Sequence, residues 1–408
     1  MKIRLALATF LAALLLLPSC DNRNSPLPQD ADPRGTIVST QLVKEWTVDE
    51  VNDLIQSVDP FLLLFVQGKY EVRQYNIIYE TVDVLGAPTI ASGAVCIPVT
   101  DTAGKAFPIA CYSHGTTLRK ESVATRGGGQ IELGVIFASE GYIGALPDFL
   151  GLGDGPGLHP YIHANSEATA VADMLRATRD IVATEDRSAW NDQLFLYGYS
   201  QGGHATMAAH RYIQTNLRDE FTVTASAPMS GPYDVSGVQE EVLVSFDPYP
   251  TPGYMPYILY SYNLAYNIVP DVTALLKPPY DSIVPPFMDG SRSIGDLNDV
   301  SNPVPRLMVL DSVMNAYEND PNHPLKLALR RNDLWDWVPQ TPVRMYYCTA
   351  DDQVSYQNAL VAYDRFLQNG ASPDIVSLEE PDPNANHNDC AQPCFLAAKV
   401  WFDSLRAL

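Results

Sequence analysis

Ser200 lies between two glycines, Gly198 and Gly202, and this spacing predicts a reactive serine. The residues before it, 193–199, form a nearly continuous apolar run that is typical of a buried parallel strand, and the alanine-rich segment after Gly203 favours a helix. At a sharp strand-to-helix turn the two elements pass so closely that only glycine fits on either side of the serine. The hydroxyl is then exposed beside the unpaired N–H groups of the first helical turn, which makes it a candidate nucleophile. The alternative is a glycine-rich turn in which Ser200 only caps the helix.

A serine nucleophile needs a base that accepts its proton and a carboxylate that orients the base. When the serine sits on such a strand-turn-helix element, the acid and then the histidine follow it along the chain. His387 is the only one of the seven histidines that follows the last long strand–helix unit, and its neighbours are polar. Asp351 and Asp352 come directly after the apolar run 343–348, at the sheet edge where such sites assemble. We predict Ser200, Asp351 and His387 as the catalytic residues, with Asp352 as the alternative acid and the unused aspartate as a solvated loop residue.

Acyl transfer also requires backbone N–H groups that stabilise the oxyanion formed in the transition state. The N–H of Gln201, directly after the serine, is one candidate, and the N–H of Thr116 is the other. Thr116 belongs to the turn that ends the strand-like run 107–113, and His114 is expected to brace that turn. Three further histidines are expected at the surface or in turns and receive no role: His159, His163 and His204.

Strand-like and helix-like patterns alternate along most of the chain. Strands are predicted near 70–79, 91–97, 107–113, 141–147, 193–199, 221–228, 343–348 and 375–378, the first two as an antiparallel pair. Helices are predicted from a cap at Asn165 or Ser166 to about 182, after Gly203, over 356–367 and over 394–405. This alternation predicts the α/β class, with a mostly parallel central sheet and helices on both faces.

Residues 235–340 interrupt the alternation. They are rich in proline and tyrosine, as in 246–252 and 277–280, and contain only short amphipathic pieces. We interpret this segment as an inserted, mainly helical cap. The predicted organisation is a first core part over 36–234, the cap over 235–340 and a second core part over 341–408.

The amino terminus has the features of a secretory signal. Lys2 and Arg4 precede an apolar run, 5–17, that is too short to span a bilayer comfortably, and the run ends in Leu-Pro-Ser-Cys20. This ending resembles a bacterial lipoprotein cleavage site. It predicts a signal peptide over 1–19, a lipid on Cys20 and a proline-rich tether over 20–35, which together place the protein at the bacterial cell envelope. The alternative is a plain signal peptide followed by a chance cysteine.

Without residues 1–19 the chain has 24 basic and 48 acidic residues, a net charge of −24. Such a net charge argues against nucleic acid and anionic lipid head groups as partners, because both bind basic surfaces. We expect a monomer without cofactor or metal that acts on a small-molecule, lipid or glycan ester and touches a membrane only through Cys20.

Five cysteines follow Cys20, too few for a disulfide scaffold in a chain of 408 residues. Three lie in apolar, strand-like runs and are expected as buried thiols: Cys96, Cys111 and Cys348. Cys390 has two possible partners, Cys394 nearby in sequence and Cys348 at the predicted acid-bearing loop. The sequence leaves this choice open.

Together these segments resemble the secretory lipase branch of the α/β-hydrolase superfamily. The resemblance covers roughly 70–234 and 341–408 and rests on Tyr112–Thr116, Gly144–Gly153 before His159, Gly198–Gly203, Thr349–Val354 and the late His387. It implies the α/β-hydrolase fold and a serine carboxylic ester hydrolase that forms an acyl-serine intermediate. It also favours Asp351 over Asp352, because the matching aspartate stands three residues before a valine. The cap is not recognisable residue by residue, so the resemblance implies no acyl-chain preference.

Several functions remain open within and beside this one. An esterase acting on soluble or glycan-borne acyl groups and a lipase acting on long-chain lipids fit the residues equally. A serine peptidase on the same fold is the enzymatic alternative, although residues 36–70 are too few for an amino-terminal propeller. A surface-anchored binding protein that has lost the chemistry is the other alternative, and the three intact candidate residues argue against it.

Overall fold

A nine-stranded sheet forms the centre of the computed structural model, which describes residues 32–59 and 63–407. Its strands are β1 (Ile37–Trp46), β2 (Glu71–Val82), β3 (Pro88–Val99), β4 (Lys105–Ser113), β5 (Ile143–Pro147), β6 (Ser188–Tyr199), β7 (Val223–Met229), β8 (Val343–Tyr346) and β9 (Val376–Glu379). The spatial order is β1-β2-β3-β5-β4-β6-β7-β8-β9. The pairs β1–β2, β2–β3 and β3–β5 are antiparallel, and the five pairs from β5–β4 to β8–β9 are parallel. The predicted mostly parallel sheet is confirmed.

The helices of the sheet region are α1 (Val48–Val58), α2 (Ile131–Ser139), α3 (Ala164–Val182), α4 (Gln201–Asn216), α11 (Gln357–Gln368) and α12 (His387–Leu405). The buried side chains of α1, α2 and α12 pack on one face of the sheet, and those of α3 and α4 pack mainly on the other. In β6 every residue of 194–199 is buried, because both of its faces are covered by helices. The apolar run that suggested this strand is therefore a consequence of two-sided burial.

Three features of the fold differ from the sequence predictions. The cap of α3 is His163, whose imidazole accepts from the Ser166 N–H, and neither Asn165 nor Ser166 takes that position. Helix α12 begins at His387 instead of near 394, because the Asn386 side chain accepts from the N–H groups of Asn388 and Asp389. Strand β1 and helices α1 and α2 were not predicted; β1 is an exposed edge strand that lacks an apolar pattern.

Between β7 and β8 the chain forms only helices and turns, apart from one isolated bridge. The helices are α5 (Glu240–Val244), α6 (Tyr254–Tyr266), α7 (Tyr280–Ile283), α8 (Ile294–Val300), α9 (Asp311–Asn319) and α10 (Pro324–Arg330). We call residues 235–340 the cap segment. Its apolar side chains form a cluster of their own, which also includes Leu118, Tyr161 and Ile162 from loops of the sheet region.

The predicted signal peptide, Cys20 and most of the predicted tether lie outside the described residues. Across 32–59 and 63–407, no helix combines the length and apolar character of a membrane span.

Two aspartates lie where the cap segment begins and ends. Asp333 accepts hydrogen bonds from the Ser236 N–H at 2.9 Å and the Ser236 hydroxyl at 2.6 Å. Asp234, at the other end, accepts from the Trp335 indole N–H at 2.8 Å. Burial, with a smaller contribution from the charge of Asp234, raises the pKa of Asp333 to about 6.

We expect this raised pKa to make stability depend on pH. Because the folded chain holds the Asp333 proton up to about pH 6 and the unfolded chain releases it near pH 4, the Asp333 contribution to the free energy of unfolding falls as pH rises through that window. Asp333→Asn should remove this component, at most about 1.4 kcal/mol per pH unit. Urea unfolding of both proteins between pH 4 and 7 measures the difference, with the exposed Asp336→Asn as control. Equal pH slopes for wild type and Asp333→Asn would contradict the prediction.

Candidate active site

The turn between β6 and α4 holds Ser200 in an unusual backbone conformation. Ser200 has φ 60° and ψ −122°, a region that non-glycine residues rarely adopt. A Cβ on Gly202 would come within 1.9 Å of the Ser113 carbonyl oxygen, and one on Gly198 within 2.4 Å of the Gly202 carbonyl oxygen. Gly198 is therefore required by the close approach of β6 and α4, as the spacing predicted, whereas Gly202 is required by the approach of α4 to the end of β4.

The structure brings Ser200, His387 and Asp351 together at the carboxyl edge of the sheet. His387 Nε2 lies 2.9 Å from Ser200 Oγ, and His387 Nδ1 lies 2.8 and 2.9 Å from the two Asp351 carboxylate oxygens. The Asp351 side chain is only 1% exposed and that of His387 only 6%. Because a carboxylate only accepts, Nδ1 carries a proton, and in the neutral ring Nε2 is free to accept the serine proton.

The two neighbouring aspartates have different partners. Asp351 Oδ1 accepts from the N–H groups of Gln353 and Val354 at 3.0 and 2.9 Å, and these bonds orient the carboxylate toward the histidine. Asp352 is exposed, as expected for the unused aspartate, but its Oδ1 accepts from the His387 N–H at 3.2 Å. Asp352 therefore contacts the backbone of the histidine, whereas Asp351 contacts its ring.

A disulfide joins the loop of Asp351 to the helix of His387. It links Cys348, three residues before Asp351, to Cys390, three residues after His387. Of the two pairings left open by the sequence, the structure has Cys348–Cys390, so the expectation of Cys348 as a free thiol is wrong. Cys96, Cys111 and Cys394 are free and buried.

Cys394 completes a cluster of three sulfur atoms with this disulfide, and its Sγ lies 3.5 Å from Cys390 Sγ. Burial raises the pKa of the Cys394 thiol well above its ordinary value. Since two of the three sulfurs are bonded to each other, the cluster offers no set of thiolates for a metal ion.

The two predicted oxyanion donors belong to residues near Ser200, Gln201 directly after it in the chain and Thr116 on the lining of a cavity that it shares. Gln201 is the first residue of α4, so its N–H has no partner within the helix. The Thr116 hydroxyl donates to Tyr161 Oη at 3.2 Å, and Thr116 lines the same cavity as Ser200 and His387. Within 32–59 and 63–407, neither the Thr116 N–H nor the Gln201 N–H makes a hydrogen bond, so both are free to donate to a bound ester.

The expectations for the other histidines are partly wrong. His114 braces its turn as expected: Nε2 lies 3.1 Å from the Asp148 carbonyl oxygen and Nδ1 lies 2.7 Å from that of Gly115. His159, His163 and His204 are buried, with 2%, 5% and 0% of their surface exposed, and are not surface residues. Each has a hydrogen-bond partner in the interior. Their short polar or glycine-rich sequence surroundings gave no signal of this burial, which depends on contacts with distant segments.

Sequence reasoning also missed two tyrosines that support the site. Tyr199 donates to the His387 carbonyl oxygen at 2.6 Å, and Tyr161 accepts from Thr116. Tyr199 directly precedes the serine in the sequence. That position was visible in the sequence, although its partner was not.

Ser200 lies between cavities of opposite character. One, which we call the polar cavity, has a volume of about 380 Å³ and is lined by Ser200 and His387 together with polar groups such as Thr116, Gln130 and Asn388. The other, the near cap cavity, is about 60 Å³ and is lined by Ser200 and mainly apolar residues. A third, the far cap cavity of about 280 Å³, lies inside the cap segment and shares only Leu243 and Met255 with the near cap cavity.

Comparisons with solved structures agree with this architecture. The rice cell wall degrading esterase LipA from Xanthomonas oryzae superposes with a TM-score of 0.79 at 28% identity, over 91% of this chain and all of that one. A protein from Legionella pneumophila assigned as a hydrolase has a TM-score of 0.79 at 26% identity, over 90% of this chain and 97% of that one. Candida antarctica lipase A has a TM-score of 0.65 at 16% identity, over 92% of this chain and 83% of that one. At this identity the likeness is one of fold alone. No family model matches the sequence, and the search of curated proteins gave no significant match.

The predicted α/β-hydrolase fold is confirmed by these neighbours and by the mostly parallel sheet. The chain is a hydrolase of the carboxylesterase type.

Proposed function

We propose that this protein hydrolyses carboxylic esters through an acyl-serine intermediate, with Ser200 as nucleophile, His387 as base and Asp351 as the acid that orients it. The observation that carries the proposal is the continuous hydrogen-bonded line from Ser200 Oγ through His387 to Asp351. His387 accepts the serine proton as Oγ attacks the ester carbonyl, and the N–H groups of Thr116 and Gln201 stabilise the oxyanion. His387 then protonates the leaving alcohol and activates a water that releases the acid.

The two sides of Ser200 suggest how the ester binds. The alcohol must leave near His387 Nε2, because that atom delivers its proton. His387 lines the polar cavity and does not line the near cap cavity. The alcohol is therefore assigned to the polar cavity and the acyl group to the apolar near cap cavity.

This assignment favours an ester with a polar alcohol and a short apolar acyl group. A sugar hydroxyl fits the polar lining, and the likeness to an esterase described as cell wall degrading supports an acylated glycan as substrate. The alternative is a lipase acting on long-chain lipids, which would require the acyl chain to pass from the near into the far cap cavity.

A panel of purified substrates tests this function. Acetyl and butanoyl esters of a sugar, long-chain triacylglycerols and peptide amides are incubated with the wild-type protein, and released acid or amine is measured. We expect turnover of the short-chain sugar esters above the others. Preferential cleavage of the amides would favour the serine peptidase, and absence of all turnover together with absence of fluorophosphonate labelling would favour a binding protein.

Leu243 and Met255 should set the acyl-chain length, because they line both cap cavities. Leu243→Ala is expected to join the cavities and raise the ratio of kcat/KM for dodecanoyl over butanoyl esters by about tenfold or more, since each buried methylene adds to transition-state binding. Ile258→Ala is the control, because Ile258 lines only the near cap cavity. An unchanged ratio in Leu243→Ala, or an equal change in both variants, would contradict this assignment.

We also propose that a lipid on Cys20 holds the enzyme at the cell envelope, on the basis of the amino-terminal sequence. Metabolic labelling with a fatty-acid analogue should mark the wild type and leave Cys20→Ser unlabelled; labelling of neither protein would overturn the proposal.

A further inference from the structure

Four buried polar side chains form one hydrogen-bonded cluster behind the nucleophile: Glu167, Gln201, His204 and His159. Gln201 Nε2 donates to Glu167 Oε1 at 2.9 Å and lies 2.6 Å from His159 Nε2. The second carboxylate oxygen of Glu167 lies 2.6 Å from His204 Nδ1. None of the four residues is more than 2% exposed. A buried carboxylate is costly unless it is fully hydrogen-bonded, so its presence here calls for a role.

The acceptors around the cluster determine the orientation of the Gln201 amide group. His159 Nδ1 lies 2.8 Å from the Leu150 carbonyl oxygen and must donate to it. Burial lowers the pKa of His159 to about 4, so the ring is neutral at pH 7 and its Nε2 accepts. Both hydrogens of the Gln201 NH₂ group are therefore engaged, one by His159 and one by Glu167, and a flipped amide would place oxygen against two acceptors.

This engagement immobilises the residue that carries a proposed oxyanion donor. The Gln201 N–H belongs to the same residue as the doubly bonded side chain, and it directly follows Ser200. Glu167 lies on α3 and His159 lies in the loop after β5, so the first residue of α4 is held from two separate elements. Displacement of a donor by about 1 Å can lower a rate by about a hundredfold, so such anchoring affects catalysis directly.

The same carboxylate connects the nucleophile turn to the end of the cap segment. His204, one turn along α4, contacts Glu167 through Nδ1, and its Nε2 donates to the Asn332 carbonyl oxygen at 2.9 Å. The Asn332 side chain in turn accepts from the Ala164 N–H at the start of α3 at 2.9 Å. Glu167 is thus linked directly to Gln201, which carries a proposed oxyanion donor, and through His204 to Asn332 of the cap segment.

We propose that Glu167 is a positioning residue: through the side chain of Gln201 it holds the Gln201 N–H in line with the oxyanion. The inference rests on the proposed ester hydrolysis and deepens it. A positioning role differs from a purely structural role for the cluster, because the effect of Glu167 on turnover must then pass through its hydrogen bond to Gln201.

Four variants test the inference. Gln201→Ala keeps the N–H and removes the side chain, and Glu167→Ala removes the carboxylate. Each is expected to lower kcat by about tenfold to a hundredfold with KM changed by less than about twofold. The double variant should fall no further than the single ones, since both break the same bond. Glu167→Gln should recover most of kcat, because its carbonyl oxygen still accepts from the Gln201 NH₂ group.

Asp173→Ala is the matched control, since Asp173 is a fully buried carboxylate on the same helix that bonds to Thr81 and Arg176 instead. It should lower the unfolding temperature without lowering kcat per active site, with active sites counted by fluorophosphonate titration. If Glu167→Ala does not fold, Gln201→Ala alone decides.

Wild-type kcat in folded Gln201→Ala, or additive losses in the double variant, would overturn the inference. Failure of the proposed function looks different: the wild-type protein itself would then hydrolyse no ester and take up no label at Ser200.

Discussion

Ser200→Ala is expected to lower kcat for ester hydrolysis by about 10⁶-fold, because it removes the nucleophile while leaving the substrate cavities unchanged. Among the described residues, the Ser200 hydroxyl is also the only hydrogen-bond partner of His387 Nε2. A fluorophosphonate probe, which reacts with activated serines, should label the wild type and leave the variant unlabelled. Hydrolysis rates and labelling together measure the prediction.

Ser226→Ala is the control for loss of a buried serine. Ser226 lies in β7 and its hydroxyl bonds to His210 Nδ1, away from the candidate site. It should keep both labelling and turnover. Residual labelling of Ser200→Ala at the wild-type rate would mean that another group carries the chemistry.

Asp351→Asn is expected to lower kcat by about 10⁴-fold through the proton on His387. The backbone N–H groups of Gln353 and Val354 donate to Asp351 Oδ1. An asparagine should therefore keep its oxygen at this position and turn its NH₂ group toward His387 Nδ1. Because an NH₂ group donates, the ring proton would move to Nε2, which could then no longer accept the serine proton. Steady-state kinetics on the same short-chain ester measure this change.

Asp352→Asn separates the two neighbouring carboxylates. Among the described residues, Asp352 accepts a hydrogen bond only from the backbone N–H of His387, and an asparagine oxygen can still do so. We expect kcat to change by less than about threefold, as for other exposed substitutions. A larger loss in Asp352→Asn than in Asp351→Asn would reverse the assignment of the acid.

Much of the fold was predictable because its signals are local. The run before Ser200 is apolar throughout because β6 is covered on both faces, and Gly198 is required in part by its contact with Gly202, four residues along the chain. The parallel strands that follow bring their carboxyl ends to one edge of the sheet, so the order of serine, aspartate and histidine along the chain indicated which residues would meet. The catalytic roles of these residues stay predictions.

The tertiary structure alone decided what depends on contacts between distant segments. The partner of Cys390 is Cys348, 42 residues away, and local spacing favoured Cys394 equally. His204 was expected at the surface or in a turn and Glu167 was not singled out, yet they meet in the interior because α3 and α4 pack against each other. The near cap cavity beside Ser200 arises between the cap segment and the sheet region. Sequence periodicity reports which face of an element is buried, but it carries no information on which buried face lies opposite.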